Sequence, residues 1–156
     1  MRDENDDFEV QGEAGANGEG DISLAEQEFI AYCEANELDC NEEGMDEDSR
    51  KDFAKIKGRF MKAIAEKRLV VNGYKIEYTV SDKSVGMAGQ KITIGRPTGR
   101  TLLAMDGYKD NQQSSKLLAY MASLCNISKI EIHKISSLDK KDHQILVDVA
   151  TLFLTA

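Results

Sequence analysis

The spacing of apolar residues along the chain changes from helical to alternating and back to helical. From Ser23 to Glu37 the apolar positions form one loose helical stripe, and Ser23 with Glu26 has the spacing of a capping box. A second stripe, from Ser49 to Lys67, is clearer, with apolar residues at every third or fourth position: Phe53, Ile56, Phe60, Ala63 and Ile64. Two amphipathic helices are therefore predicted, separated by an acidic segment that contains a glycine.

Alternation with a period of two begins at Leu69 and continues to Val80. It is interrupted by Asn72-Gly73, and an Asn-Gly pair between two such runs is typical of a tight hairpin turn. A loop with two glycines follows, after which Lys91 to Ile94 has the pattern of a third strand. The pattern therefore predicts a small three-stranded antiparallel sheet.

Helical spacing returns in the last third of the chain. A helical turn is predicted over Thr101 to Met105, and a helix is predicted to start at Asp110 or Ser114 and end at Leu124 or Cys125. Residues 127–136 fit a strand and a short helix equally well. A last helix, with Asp139 as its cap, is predicted to run into the apolar C-terminal segment.

These patterns predict an α+β protein: a disordered acidic N-terminal arm, two helices, a small three-stranded antiparallel sheet and a helical C-terminal half. Residues 1–22 form the arm, because they contain too few large apolar side chains for burial to offset the entropy of ordering. Residues 23–48 form an acidic helix and linker, and residues 49–156 form a single α+β domain.

Charge is divided unevenly between the two ends of the chain. Residues 1–50 carry 18 acidic and two basic side chains, whereas residues 51–156 carry 10 acidic and 18 basic ones, so the net charge of −8 hides a contrast of −16 against +8. Part of the excess of basic side chains lies on the helix from Lys51 to Lys67. This helix is compatible with a nucleic-acid-binding regulator in which the acidic arm acts as an autoinhibitor. The acidic arm opposes a polyanion, however, and nucleic acid is not the expected partner.

Three patterns in the sequence are candidate sites for chemistry. Gly95 and Gly99 enclose three residues where a phosphate-binding loop has four. Asp39 to Arg50 has the length of a calcium loop, but Arg50 stands where the bidentate Glu belongs. Two distant histidines and three unpaired cysteines add neither a zinc site nor a thiol nucleophile. The sequence therefore predicts a non-enzymatic protein with no catalytic, cofactor-binding or metal residues.

From about Asp52 onward, short segments of small apolar and polar residues follow one another in a fixed order, interrupted by a hairpin and by turns. In chain order these segments are Ala63-Ile64-Ala65-Glu66-Lys67-Arg68-Leu69-Val70-Val71, Ile92-Thr93-Ile94, Arg96-Pro97-Thr98-Gly99, Leu102-Leu103-Ala104-Met105-Asp106, Leu117-Leu118-Ala119-Tyr120-Met121-Ala122, Asn126-Ile127-Ser128, Leu138-Asp139 to Asp142 and Val149 to Phe153. This series resembles the tail assembly chaperones of long-tailed bacteriophages.

The resemblance implies a protein of the host cell cytoplasm that binds the tape measure protein and keeps this long apolar helical chain soluble until tail tube protein displaces it. No cofactor and no membrane contact are expected. A homo-oligomer is compatible with the sequence. A structural tail or neck component of the virion is the nearest alternative. The candidate partner-binding residues are the apolar positions of the last two long helices: Leu117, Met121, Leu124, Val149, Leu152 and Phe153.

Overall fold

The computed structural model describes residues 22–127 and 131–155, and its first element is helix α1 at residues 22–35. The predicted disordered arm at residues 1–22 lies outside the described residues except for Ile22, which is helical. Because Ser23 lies inside α1, the predicted capping box at this residue is wrong. A turn follows α1, in which Glu37 has a φ of 57° and the Leu38 N–H donates to the Cys33 carbonyl at 2.8 Å.

A short 3₁₀ turn, Glu42–Gly44, leads into helix α2, Glu47–Ala65. Asp46 caps α2, since its carboxylate accepts the Ser49 N–H at 2.7 Å. The five apolar positions that predicted this helix are all buried, which confirms the face assigned to the core. Only the ends differ, because α2 starts and stops two residues before the predicted bounds.

Three antiparallel strands follow in the order β1-β2-β3: Leu69–Asn72, Lys75–Thr79 and Lys91–Ile94. The predicted sheet is confirmed, but the hairpin turn is displaced by one residue. Asn72 pairs with Lys75, so the two loop residues are Gly73, at a φ of +66°, and Tyr74. Tyr74 is consequently exposed at the turn, whereas Ile76 and Tyr78 on β2 point into the core.

The C-terminal half is helical, as predicted. It contains α3 at Gly99–Met105, α4 at Gln113–Leu124, the single turn α5 at His133–Ser136, and α6 at Lys140–Thr155. The sequence left strand and short helix as alternatives for residues 127–136, and the structure shows that residues 133–136 are helical. Asp139 caps α6 as expected, since its carboxylate accepts the Lys141 N–H at 3.2 Å.

The hydrophobic core lies where α1, α2, α4 and α6 meet one face of the sheet. Phe29 of α1 packs edge-on against Phe60 of α2, with ring centroids 5.0 Å apart, and Tyr32 packs against Phe60 at 5.3 Å. Val149 of α6 is fully buried in the same cluster. The acidic helix predicted within residues 23–48 therefore shares its core with the sheet and the C-terminal helices.

Candidate functional site

The six predicted partner-binding residues lie in or against the core. Four are almost fully buried and two are half-buried: Met121, Leu124, Val149 and Leu152 in the first group, and Leu117 and Phe153 in the second. In this conformation the first four hold α4 and α6 in place and leave little surface for another chain. Their role in partner binding stays a prediction, and it would require α4 or α6 to move out of the core.

Helix α3 presents the apolar surface that the sequence reasoning did not single out. Leu102 and Leu103 are 60% and 67% exposed on consecutive positions. The helix is oriented by buried Thr101, whose hydroxyl accepts hydrogen bonds from the Thr98 N–H at 2.9 Å and the Ser123 hydroxyl of α4 at 3.2 Å. Because Thr101 faces α4, the two leucines that follow it are turned toward solvent.

A groove of about 400 Å³ runs between α3 and α4 beside these leucines. Its apolar lining residues are Leu103, Ala104, Ala119, Ala122, Ile127 and Ile132. Arg100 also lines it and supplies the only full charge among the lining residues. Three of the apolar residues are alanines, so a partner side chain can approach the helix backbones closely. Leu102, Leu103 and this groove together are called the α3 face below.

The most buried polar cluster surrounds Asp142 in the first turn of α6, a residue with no exposed surface. Its carboxylate accepts hydrogen bonds from the hydroxyls of Tyr78, Ser81 and Ser84 at 2.5, 2.7 and 2.6 Å, and from the Ser81 N–H at 3.2 Å. Burial raises the pKa of this carboxyl, but the hydrogen bonds from Ser84, Tyr78 and Ser81 outweigh burial and hold it below its usual value.

This cluster joins parts of the chain that are far apart in sequence. The Ser84 hydroxyl, which donates to Asp142, also accepts the Asp139 N–H at 2.7 Å. The Tyr78 hydroxyl accepts from Arg68 at 2.9 Å, which in turn pairs with Glu66. The cluster therefore ties the loop after β2 to the start of α6.

The basic face of α2 is partly neutralised by carboxylates. Lys51, Lys57 and Arg59 pair with Glu47, Glu26 and Asp148 at 3.6, 2.7 and 2.7 Å. Of the basic residues considered for nucleic-acid binding, Lys55, Lys62 and Lys67 extend into solvent without a carboxylate partner in the described part of the chain. The affinity for nucleic acid depends on how many phosphates the protein neutralises, so this small number of available cations would support only weak binding.

Each of the two candidate ligand loops has an arginine that is engaged within the chain. Arg50 donates to the carbonyls of Glu42 and Met45 at 3.1 and 3.2 Å, so its guanidinium sits on oxygens of the calcium-loop-like segment. Arg96, in the glycine-flanked segment, pairs with Glu37 at 3.2 Å. Within residues 22–127 and 131–155, no three or more His, Cys, Asp or Glu side chains come together as metal ligands.

The three cysteines, Cys33, Cys40 and Cys125, are free thiols in the structure. Burial raises the pKa of the Cys125 thiol to about 12, and burial likewise raises the pKa values of Cys33 and Cys40. A thiol with a raised pKa is a poor nucleophile at neutral pH, so the described surroundings of these cysteines do not resemble those of a catalytic thiolate.

In comparisons with known proteins, no family model, curated protein or solved structure matches the chain. Among the described helices, none has the length and apolar character needed to span a membrane. A function is therefore inferred below from the resemblance in the sequence and from the surfaces of the fold.

Proposed function

We propose that this chain is a tail assembly chaperone, which binds the tape measure protein reversibly in the host cytoplasm and keeps it soluble without catalysis. The proposal is supported by the sequence resemblance over about the last hundred residues. The structural observation that carries it is the α3 face, where Leu102 and Leu103 are 60% and 67% exposed beside an apolar groove.

The composition of the α3 face suits a helical, apolar partner. Its alanine-rich walls leave room for the side chains that an amphipathic helix inserts into a groove at spacings of three and four residues. Leu103 lines that groove and would be covered by the inserted helix, and Leu102 is the exposed position next to it on α3. A tape measure protein, as the resemblance implies, supplies long stretches of such helix.

The expected strength of this contact fits a chaperone that has to release its client. Full burial of one leucine contributes about 1.5–3 kcal/mol, so covering the exposed parts of Leu102 and Leu103 adds roughly 2–4 kcal/mol in total. The loss of translational and rotational freedom on association costs about 4–15 kcal/mol, so the two leucines alone do not hold the partner and the groove contacts must supply the rest. Net binding is then a small difference between these opposing contributions, which makes it reversible and allows tail tube subunits to displace the chaperone.

The direct test is co-expression with the tape measure protein encoded near this chain, followed by affinity purification. The variant Leu102→Ser/Leu103→Ser removes the exposed apolar surface, and Val85→Ser is the matched control, because Val85 is 89% exposed in the loop after β2. We expect the wild type and Val85→Ser to hold the client in solution and the double variant to lose it. Equal recovery by all three proteins would contradict the proposal.

The structural alternative makes a different prediction for the assembled particle. A chaperone leaves before assembly is complete, so mass spectrometry of purified virions should not find this chain. Its presence in virions at the copy number of a tail or neck subunit would replace the chaperone proposal with that of a structural component.

A further inference from the structure

A second cavity, of about 420 Å³, lies between the 3₁₀ turn, the start of α2 and the C-terminal end of α6. Its floor consists of apolar side chains from these elements, among them Met45, Phe53, Ile56 and Leu152. Three carboxylates stand around it: Asp39, Asp46 and Asp52. This site is called the acidic cavity, and it does not share any lining residue with the α3 face.

The charge around the acidic cavity is strongly negative. Residues 39–52 include seven acidic and two basic side chains. Both cations are engaged, since Arg50 donates to the carbonyls of Glu42 and Met45 and Lys51 pairs with Glu47. The C-terminal end of α6 adds the partial negative charge of its helix dipole. An occupant of this site therefore has to carry positive charge.

The chain's own N-terminal residues do not meet that requirement. Residues 1–21 contain eight acidic side chains and a single arginine. Although they are joined to α1 and long enough to reach across the surface, like charges would repel them from the three carboxylates of the cavity. The occupant that fits is a segment of another protein.

We propose that the acidic cavity docks a cationic, apolar peptide segment of a partner protein. An apolar side chain of the segment fills the floor against Phe53 and Leu152, and flanking Lys or Arg side chains pair with Asp39 and Asp52 at the rim. Asp46 adds negative potential while its carboxylate stays hydrogen-bonded to the Ser49 N–H as the cap of α2. This docking does not depend on the α3 face or on the identity of its client.

The test uses a short fluorescein-labelled peptide of Leu and Lys at helical spacing, with a second peptide in which every Lys is replaced by Glu. Fluorescence anisotropy with the full chain should show saturable binding of the Lys peptide, weakened by salt, and no binding of the Glu peptide. Absence of saturable binding by the Lys peptide, or equal binding of both peptides, would overturn the proposal.

Two variants separate the cavity from general attraction to an acidic protein. Asp52→Asn should weaken binding of the Lys peptide roughly two- to fivefold, the range for one exposed ion pair. Asp82→Asn is the matched control, because Asp82 lies beside the start of α6 and the cavity lies at its other end. An equal effect of the two substitutions would show that the peptide responds only to net charge and would overturn the cavity as its site.

A third variant fills the cavity itself. A Cβ at Gly44 would meet only the Asn41 side-chain nitrogen, at 4.0 Å, so Gly44→Phe is tolerated by the local backbone and places a ring among the lining residues. We expect it to abolish saturable binding. Unchanged binding by a folded Gly44→Phe protein would contradict the proposal.

Amide chemical shifts locate the bound peptide in the wild-type protein and make the test independent of the variants. Resonances of Gly44, Ser49 and Thr155, which line the cavity, should shift on titration with the Lys peptide, and those of Gly86 and Gly89 in the loop after β2 should not. Shifts confined to any other surface would overturn the assignment. The assignment would also be overturned if the free chain sedimented as a dimer with these three amides at the dimer interface.

Discussion

Arg59 of α2 and Asp148 of α6 are joined by two parallel hydrogen bonds of 2.7 and 2.9 Å, although 89 residues separate them in the chain. Asp148 is 2% exposed and also accepts a hydrogen bond from Gln144 at 2.9 Å. A buried carboxylate is stable only when its charge is compensated, so this pair fixes how the two long helices lie against each other.

Replacing Arg59 should therefore destabilise the fold. Arg59→Ala leaves the Asp148 carboxylate with Gln144 alone, and we expect a loss of about 2 kcal/mol in the free energy of unfolding, allowing for the partial exposure of Arg59. Lys55→Ala, on an exposed position of the same helix, should change it by less than about 0.5 kcal/mol. Urea unfolding of both variants measures the difference, and equal values would show that the ion pair adds nothing to stability.

The Asp142 cluster should make stability depend on pH in the acid range. The pKa of Asp142 is lowered in the folded state, so its contribution is present above the unfolded pKa of about 4 and is lost as the pH falls through the folded pKa. Asp142→Asn should be less stable than the wild type at pH 7 by about 1–3 kcal/mol, because an amide cannot accept all of these donors. The gap should narrow as the pH drops below about 4.

Urea midpoints between pH 7 and pH 3 check this dependence, with Asp82→Asn as the control. Asp82 is exposed in the same loop, so that variant should follow the wild type throughout. Asp46, whose pKa is also lowered, remains in every variant, so its effect is common to all curves. A constant gap between the wild type and Asp142→Asn would show that Asp142 does not titrate differently on folding.

The elements of the fold were predictable because their signals are local. Helix α2 and the sheet follow from the periods of apolar residues, and Asp139 is a cap that the sequence predicts by position. The partners of Asp142 lie 58 to 64 residues away, and no local pattern connects them. The α3 face was missed for another reason: exposure of two adjacent leucines depends on how Thr101 orients the helix, which spacing alone does not reveal.

The ends of α1 and α2 were predicted to within two residues, but the left-handed conformation that terminates each helix was not, because the residue in that position is usually glycine. Glu37 follows the last turn of α1 and Lys67 follows that of α2, with φ values of 57° and 63°. At the end of α2, the Lys67 and Arg68 N–H groups donate to the carbonyls of Ile64 and Ala63 at 2.9 Å, the pattern of a Schellman motif. A side chain at such a position is strained relative to glycine.

Lys67→Gly should therefore stabilise the protein. Relief of the left-handed strain exceeds the added entropy of the unfolded chain, and we expect a net gain of about 0.5–1 kcal/mol in the free energy of unfolding. Lys55→Gly, at an exposed position in the interior of the same helix, is the matched control and should cost about 1 kcal/mol. Thermal unfolding distinguishes the two, and a loss of stability in Lys67→Gly would show that its side chain makes a contact that outweighs the strain.

Substitutions in the core and on the α3 face should affect stability very differently, and this decides how binding experiments are interpreted. Leu152→Ala removes a side chain that is 5% exposed and should cost about 2–5 kcal/mol, whereas Leu102→Ser/Leu103→Ser should change stability by no more than about 1 kcal/mol. Urea unfolding measures both. If Leu152→Ala no longer retains the tape measure protein, the loss can reflect unfolding of the chain. If the double variant no longer retains the tape measure protein although its stability is unchanged, the two leucines form part of a contact surface. If the double variant unfolds instead, the two leucines belong to the core and the α3 face is not a free surface.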